Sequence, residues 1–256
     1  MGEIEIARNG QTLEIVIDRP AVRNALDSAC HFRLAEIFDE FDRDESLRVA
    51  IITGAGEKAF CVGSDLKARM EPGGQDYPPT GFAGLCERFD LYKPVIAAVN
   101  GDCIGGGLEV VLACDLAVAS AQARFGFPEP RVGLLAAGGL HRLSRQLPAK
   151  HAMDIVLRAK LFQAREALDY ALINRVVDSP DDALTAAREM AADIIECAPL
   201  AILATKEMIS RGLDEASLRD AFSAHYPAYE RMLASEDAVE GSMAFKEKRK
   251  PVWKGN

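Results

Sequence analysis

The sequence predicts an α/β fold that gives way to a helical C-terminal region, and three observations carry that expectation. Residues 49–52, 95–99 and 116–119 are apolar throughout, and helix-patterned stretches separate them. A strand buried on both faces loses the polar–apolar alternation, and helical crossovers pair such strands in parallel with right-handed connections. After about Leu140 the texture turns helical, punctuated by Pro148, Pro180, Pro199 and Pro227, with one more strand candidate at Val176-Val177.

The elements follow in order. Alternating residues 4–7 and 12–18 flank Asn9-Gly10, a pair that supplies the positive-φ positions of a tight hairpin turn. Asp27 stands as a helix N-cap, and Cys30, Leu34, Ile37, Phe38 and Phe41 follow as an apolar stripe at helical spacing. Residues 71–79 hold three Pro and two Gly and read as a surface loop.

Bulk composition narrows the function. The 256 residues carry 30 Lys and Arg against 39 Asp and Glu, a net charge of −9, with 49% hydrophobic and 27% charged residues. Such a chain can bury a core. Its acidic balance opposes nucleic-acid binding, which rests on phosphate neutralisation by Lys and Arg. No run approaches the roughly 18 apolar residues of a membrane span. Met1-Gly2-Glu3-Ile4-Glu5 lacks the basic-then-apolar pattern of a signal peptide, and although Gly2 suits myristoylation, the alternation after it reads as a strand. The cysteines (Cys30, Cys61, Cys86, Cys103, Cys114, Cys197) form no Cys-x-x-Cys pair, and the four histidines lie far apart. The expectation is a cytoplasmic protein with buried thiols and no metal.

Three glycine-containing segments compete for a ligand. Gly54-Ala55-Gly56-Glu57-Lys58-Ala59 has dinucleotide-fingerprint spacing, but Phe60-Cys61-Val62-Gly63 opens a helix poorly, so a tight turn after a strand is the better reading. Residues 60–67 look like a loop turning into a helix, in which Ser64 lacks the flanking glycines of a nucleophile elbow and reads as a backbone donor. Gly105-Gly106-Gly107 precedes an apolar helix. It either presents free amides to negative charge or serves close helix–sheet packing. Nearby are two carboxylates: Glu109 at a helix start, and Glu129 between Pro128 and Pro130. Singly, the first reads as a dipole-favoured glutamate and the second as a loop charge. Together with two amide-bearing loops they form equipment for polarising a carbonyl while moving protons beside it.

These segments resemble the crotonase (enoyl-CoA hydratase/isomerase) superfamily over nearly the whole chain. The likeness is carried by Asp18-Arg19-Pro20-Ala21-Val22-Arg23-Asn24-Ala25-Leu26, Gly63-Ser64-Asp65-Leu66, Gly105-Gly106-Gly107, Phe125-Gly126-Phe127-Pro128-Glu129, and the tail from Ala244 to Lys254. The resemblance implies a ClpP-like spiral of ββα units over residues 1–195, and a helical trimerisation region over 196–256. It implies that the Ser64 and Gly106 amides hold a thioester oxygen, and that Glu109 and Glu129 are the catalytic pair of a hydratase or dehydratase. Arg23, Ala25, Cys61, Asp65, Leu66, Phe245 and Lys248 are implied to meet the acyl-CoA. Coenzyme A is then part of the substrate and no separate cofactor is expected. The partner is a second copy, as a homotrimer or a hexamer of paired trimers.

The likeness extends to the carnitinyl-CoA dehydratase subgroup, through residues 48–58, 81–85, 93–101 and 235–241. Two departures bear on the acyl group: Ser64 stands where that subgroup tends to carry a bulky aromatic, and residues 134–142 lack the Gly-Gly-Thr-Gln common in plain hydratases. Other readings are a Δ3,Δ2-enoyl-CoA isomerase, or a non-catalytic acyl-CoA- or RNA-binding module. The tail carries Lys246, Lys248, Arg249, Lys250 and Lys254 against Glu247. Phe245 and Lys248 there either meet the adenine and phosphates of CoA or belong to a solvated basic tail. Residues 71–79 are expected to act as a lid.

Overall fold

The computed structural model describes residues 3–71 and 76–256. Met1-Gly2 and the 72–75 part of the expected lid therefore lie outside the described residues. The Asn9-Gly10 turn closes the hairpin: β1 (Ile4–Asn9) pairs antiparallel with β2 (Thr12–Ile17), and Gly10 takes φ +58°. Helix α1 (Ser28–Arg43) begins at Asp27, whose carboxylate accepts from the Cys30 N–H at 3.0 Å, and its buried face contains the expected stripe.

The chain then lays down strands in pairs. The first is β3 (Val49–Gly54) with β4 (Ala59–Cys61), and the second is β5 (Val95–Val99) with β6 (Asp102–Ile104). Helix α2 (Gly106–Ala113) leads to the third, β7 (Leu116–Ser120) with β8 (Arg124–Gly126). After α3 (Ala137–Gln146) and α4 (Ala149–Arg158) come β9 (Phe162–Gln163), α5 (Ala164–Asp169), β10 (Arg175–Val177) and α6 (Pro180–Ile195). Each pair sends one strand to each of two sheets. The larger runs β1-β2-β3-β5-β7-β10 and the smaller β4-β6-β8-β9. All neighbours are parallel except β1–β2 and β8–β9. Every residue of β3 and β5 is buried, which is why neither shows alternation.

Two asparagines hold the β3–β4 turn. Asn100 donates from Nδ2 to the carbonyls of Gly54 (2.8 Å) and Gly56 (2.6 Å). Asn24, fully buried at φ +58°, donates to those of Ala55 (3.0 Å) and Ala59 (2.7 Å). The first glycine segment is thus a turn into a strand, and no helix opens there to receive a pyrophosphate. Residues 60–67 depart from expectation. After β4 the chain stays extended, Ser64 bridges in parallel to Leu26, and only a 3-10 turn follows at Ala68–Met70. The carboxylate of Asp65 accepts from the Lys67 (3.1 Å) and Ala68 (3.3 Å) amides, which closes a short turn in place of a helix.

The chain forms two compact units. One runs Met1–Phe89 and Val95–Ala191; the other is Asp90–Pro94 with Ala192–Asn256. The second holds α7 (Pro199–Gly212), α8 (Leu218–Ser223), α9 (Pro227–Leu233) and α10 (Glu236–Glu247). Buried Glu207 on α7 accepts from the Ala228 N–H at the start of α9 (2.8 Å), and buried Asp237 accepts from the Lys254 and Gly255 amides, folding the tail back along α10. Among the described residues, no helix is long and apolar enough to cross a membrane. All six cysteines are free.

Candidate active site

The small sheet brings the ends of β4, β6 and β8 side by side, and the chain leaving each strand delivers one group: Ser64, Gly106 and Glu129 in turn. With Glu109 they line one cavity of about 820 Å³.

The first loop is set by Leu26. Its N–H donates to the Gly63 carbonyl and its carbonyl accepts from the Asp65 N–H, both at 2.8 Å. In strand geometry this turns the Ser64 N–H to the opposite side. Behind it Arg19 donates to the Ala25 carbonyl (2.6 Å) and pairs with Asp27 (3.0 Å), Glu3 (3.2 Å) and Asp65 (3.3 Å). The opening motif is therefore a clamp on residues 63–65. Glu3, Asp27 and Cys30 also place ligand-type atoms close together, but the Arg19 guanidinium already neutralises both carboxylates there.

The second loop ends in α2. Gly105 caps the helix at φ +58°, and Gly106, its first residue, has no intrahelical acceptor for its N–H. The macrodipole makes that end favourable to negative charge. Both readings of the triple glycine hold at different positions. The side of Gly107 is filled by the Cys61 carbonyl, so it serves packing, while Gly106 both packs against the Phe82 ring, 2.3 Å from where a Cβ would stand, and lines the cavity.

Glu109, on the first turn of α2, is buried, and its Oε1 accepts from the Gly139 N–H at 3.0 Å. Burial pushes its pKa up to about 7 against the pull of that amide, and the Glu129 charge adds to the rise. Burial likewise raises Glu129. The Glu129 Oε2 is buried with no hydrogen-bond partner among the described residues. Buried polar atoms are ordinarily paired, so this oxygen is free to accept a hydrogen bond from a group entering the cavity.

The sequence-expected residues divide. Ala25, Ser64, Asp65, Leu66, Gly106, Glu109 and Glu129 line the cavity. Cys61 does not line the cavity: its side chain is wholly buried in β4, and its sulfur accepts from the Gly63 N–H at 3.4 Å. Arg23 likewise does not line the cavity. Its left-handed backbone (φ +55°) carries the guanidinium to Asp102 at 3.5 Å, and Val22 lines the cavity in its stead. Phe245 and Lys248 belong to the second unit, where Phe245 is exposed and Lys248 ends α10 in the left-handed conformation; the cavity lining is drawn from the first unit. Sequence reasoning missed Gly139 as the donor to Glu109. The available signal was Gly138-Gly139 opening a helix. It also missed the His31, Tyr77 and Phe82 ring cluster, with His31 centroids 4.9 and 4.4 Å from the other two. His31 accepts from the Ala83 N–H at 3.0 Å, and burial lowers its pKa to about 4, so it acts as a neutral prop.

The family described as enoyl-CoA hydratase/isomerase matches residues 7–256. A carnitinyl-CoA dehydratase of Salmonella arizonae is 46% identical over 263 residues, spanning 99% of this chain and 98% of its own. One of Proteus mirabilis is 44% identical over 259 residues, 98% of each chain. Among solved structures, an enoyl-CoA hydratase from Mycobacterium marinum matches with a TM-score of 0.94 at 37% identity over 100% of both chains. A carnitinyl-CoA hydratase from Mycobacterium avium matches at 0.78 and 40%, again over 100% of both.

Proposed function

The chain belongs to the enoyl-CoA hydratase/isomerase family as a hydro-lyase with the crotonase α/β fold, and from that membership we propose that it adds water reversibly across the α,β double bond of an acyl-CoA thioester. The observation that carries the reading is the placement of two buried carboxylates, Glu109 and Glu129, on the same cavity as the Ser64 and Gly106 amides. The amides hold the thioester oxygen, draw electrons from the β-carbon and stabilise the enolate that forms. Each such donor is worth about 3–4 kcal/mol in the transition state. One carboxylate then takes a proton from water as the oxygen adds at the β-carbon, and the other gives a proton to the α-carbon. A pKa of about 7 suits Glu109 to exchange protons near neutrality. Shifting a double bond needs only one carboxylate, so the pair favours hydration over isomerisation.

Replacing Glu109 or Glu129 by Gln should each lower hydration of crotonyl-CoA by about 10²–10⁴-fold, with CoA-ester binding retained. Full activity in either variant overturns the reading. Running the reaction in ¹⁸O-water separates the alternatives, because an isomerase incorporates no solvent oxygen. The names of the curated relatives make carnitinyl-CoA the 3-hydroxyacyl substrate to test first. Residues 196–256 are the proposed trimerisation region. There Ile209, Leu213, Leu218, Phe222 and Leu233 are exposed apolar side chains that a neighbouring copy would cover, which light scattering tests. Phe245 and Lys248 are proposed to meet the CoA adenine and phosphates.

A further inference from the structure

We propose that His31 is a positioning residue for the Gly106 amide: it fixes the turn that lays Phe82 against Gly106 and keeps water from that side of the amide. The proposal rests on the hydratase reading above and deepens it, because it ties a residue outside the cavity lining to a group that holds the thioester oxygen.

Gly106 stands between two supports. The Ser64 loop packs on one side, where a Cβ added to Gly63 would stand 2.9 Å from the Gly106 nitrogen. On another side the tip of the Phe82 ring fills the place that a Gly106 side chain would take. Phe82 is buried, and the part of it that stays open lines the cavity beside Gly106.

Phe82 owes its place to α1. It opens a 3-10 turn, Phe82–Gly84, whose middle residue Ala83 takes φ +53° and ψ +20°. A residue with a side chain keeps that left-handed backbone only where its surroundings fix it. Here the fixing contact is buried: the Ala83 N–H donates to Nδ1 of His31 at 3.0 Å, across 52 positions of sequence. The same imidazole lies against Phe82, with ring centroids 4.4 Å apart and planes tilted by 58°. One side chain therefore holds both the backbone of the turn and the ring it carries. Burial lowers the His31 pKa to about 4 despite the nearby Asp27 charge, so Nδ1 remains an acceptor near neutrality. The far end of the turn is clamped to the same helix. Gly84 packs on the Ala35 backbone, and Arg88, paired with Asp39 at 2.7 Å, joins the carbonyls of Gly84 (3.1 Å) and Ala35 (3.2 Å).

A hydrogen bond to developing negative charge is worth more where water is excluded and the donor needs no rearrangement. Removing the acceptor at residue 31 strands a buried donor on Ala83 and frees the turn to relax. Phe82 then leaves Gly106, and water competes for its amide. The loss falls on turnover more than on binding of the ground-state ester.

The test compares two variants of the full chain. His31→Asn puts an amide oxygen where Nδ1 stands, keeping the acceptor without the ring; His31→Phe keeps a ring and loses the acceptor. In His31→Phe, kcat for crotonyl-CoA hydration should fall about 100-fold with KM moved by less than about threefold, and His31→Asn should recover most of that loss. The second readout needs no turnover: the infrared stretch of a ¹³C-labelled thioester carbonyl in bound butyryl-CoA. Binding to the wild type should move the band to lower wavenumber, His31→Phe should lose part of that shift, and His31→Asn should keep it. If His31→Phe does not fold, His31→Gln carries the same expectation, because its amide reaches the Nε2 position and leaves that of Nδ1 empty. A carbonyl band in the folded acceptor-free variant equal to the wild type's overturns the proposal, and so does His31→Asn as impaired as that variant. A wild type that shifts the carbonyl but hydrates nothing sinks the hydratase reading alone. A hydratase whose carbonyl band and kcat ignore His31 sinks this inference alone.

Discussion

A Cβ added to Gly105 would stand 2.5 Å from Oε1 of Glu129. The residue that caps α2 also makes the space in which the second carboxylate rests, and its φ of +58° with ψ of −124° is open to glycine alone. Gly105→Ala should therefore displace the carboxylate and strain the loop at once. We expect kcat for crotonyl-CoA hydration to fall by about 100-fold or more, read by steady-state kinetics alongside a melting curve to confirm folding.

Glu109 sets activity against stability. Its folded pKa stands near 7, above the ordinary carboxylate value of 4.5, chiefly through burial. Below 4.5 both folded and unfolded states carry the proton and nothing is lost. As pH rises from 4.5 to 7 the unfolded state ionises first, so stability falls, and above 7 the full cost persists. Glu109→Gln removes the cost. It should raise stability at pH 8 by on the order of 1–3 kcal/mol, with the gain vanishing near pH 4 while hydration is lost. Denaturant melts at the two pH values decide this.

The two carboxylates are electrically linked, and the sign is fixed. Glu129 contributes to the raised pKa of Glu109, after burial and against the Gly139 amide. Neutralising it in Glu129→Gln should move the Glu109 titration to lower pH, observable by carboxyl-carbon NMR. A shift to higher pH would show that the pair does not interact as described.

Glu14 tests the opposite case. It is buried on β2 and paired twice with Arg188 of α6, at 2.7 and 2.8 Å. The Arg188 hydrogen bonds lower its pKa despite burial. Its stabilising contribution is present above the ordinary carboxylate range and lost as pH falls through the lowered value. Arg188→Met strands the carboxylate and should destabilise the protein at pH 7 by about 2–3 kcal/mol, and by less at pH 3.

Local signals were legible and distant ones were not. The Asn9-Gly10 hairpin, the Asp27 cap and the three apolar strands each depend on residues within a turn or two of one another, and each stands where the sequence places it. The small sheet was hidden because β4, β6 and β8 are three residues long, too short to show a period. At the site, the motif residues Ser64, Gly106, Glu109 and Glu129 meet on one cavity. The groups that tune them join segments far apart in the chain. Gly139 reaches Glu109 across 30 positions and Arg19 reaches Asp65 across 46, and no local pattern announces such a pairing. Cys61 and Arg23 stand outside the cavity lining for the same reason: neighbours in a motif need not face the same way.

Neighbouring strands in a sheet lie roughly 4.8 Å apart, and β4, β6 and β8 each hand over one functional group within three residues of their ends. The fold therefore works as a rack with interchangeable fittings. The first two positions supply backbone amides, the second from a glycine whose added Cβ would stand 2.3 Å from the Phe82 ring, while the third supplies a side chain. On the proposed reading, a descendant of this scaffold keeps the two amides that hold the thioester and changes its reaction by altering the tip that follows β8.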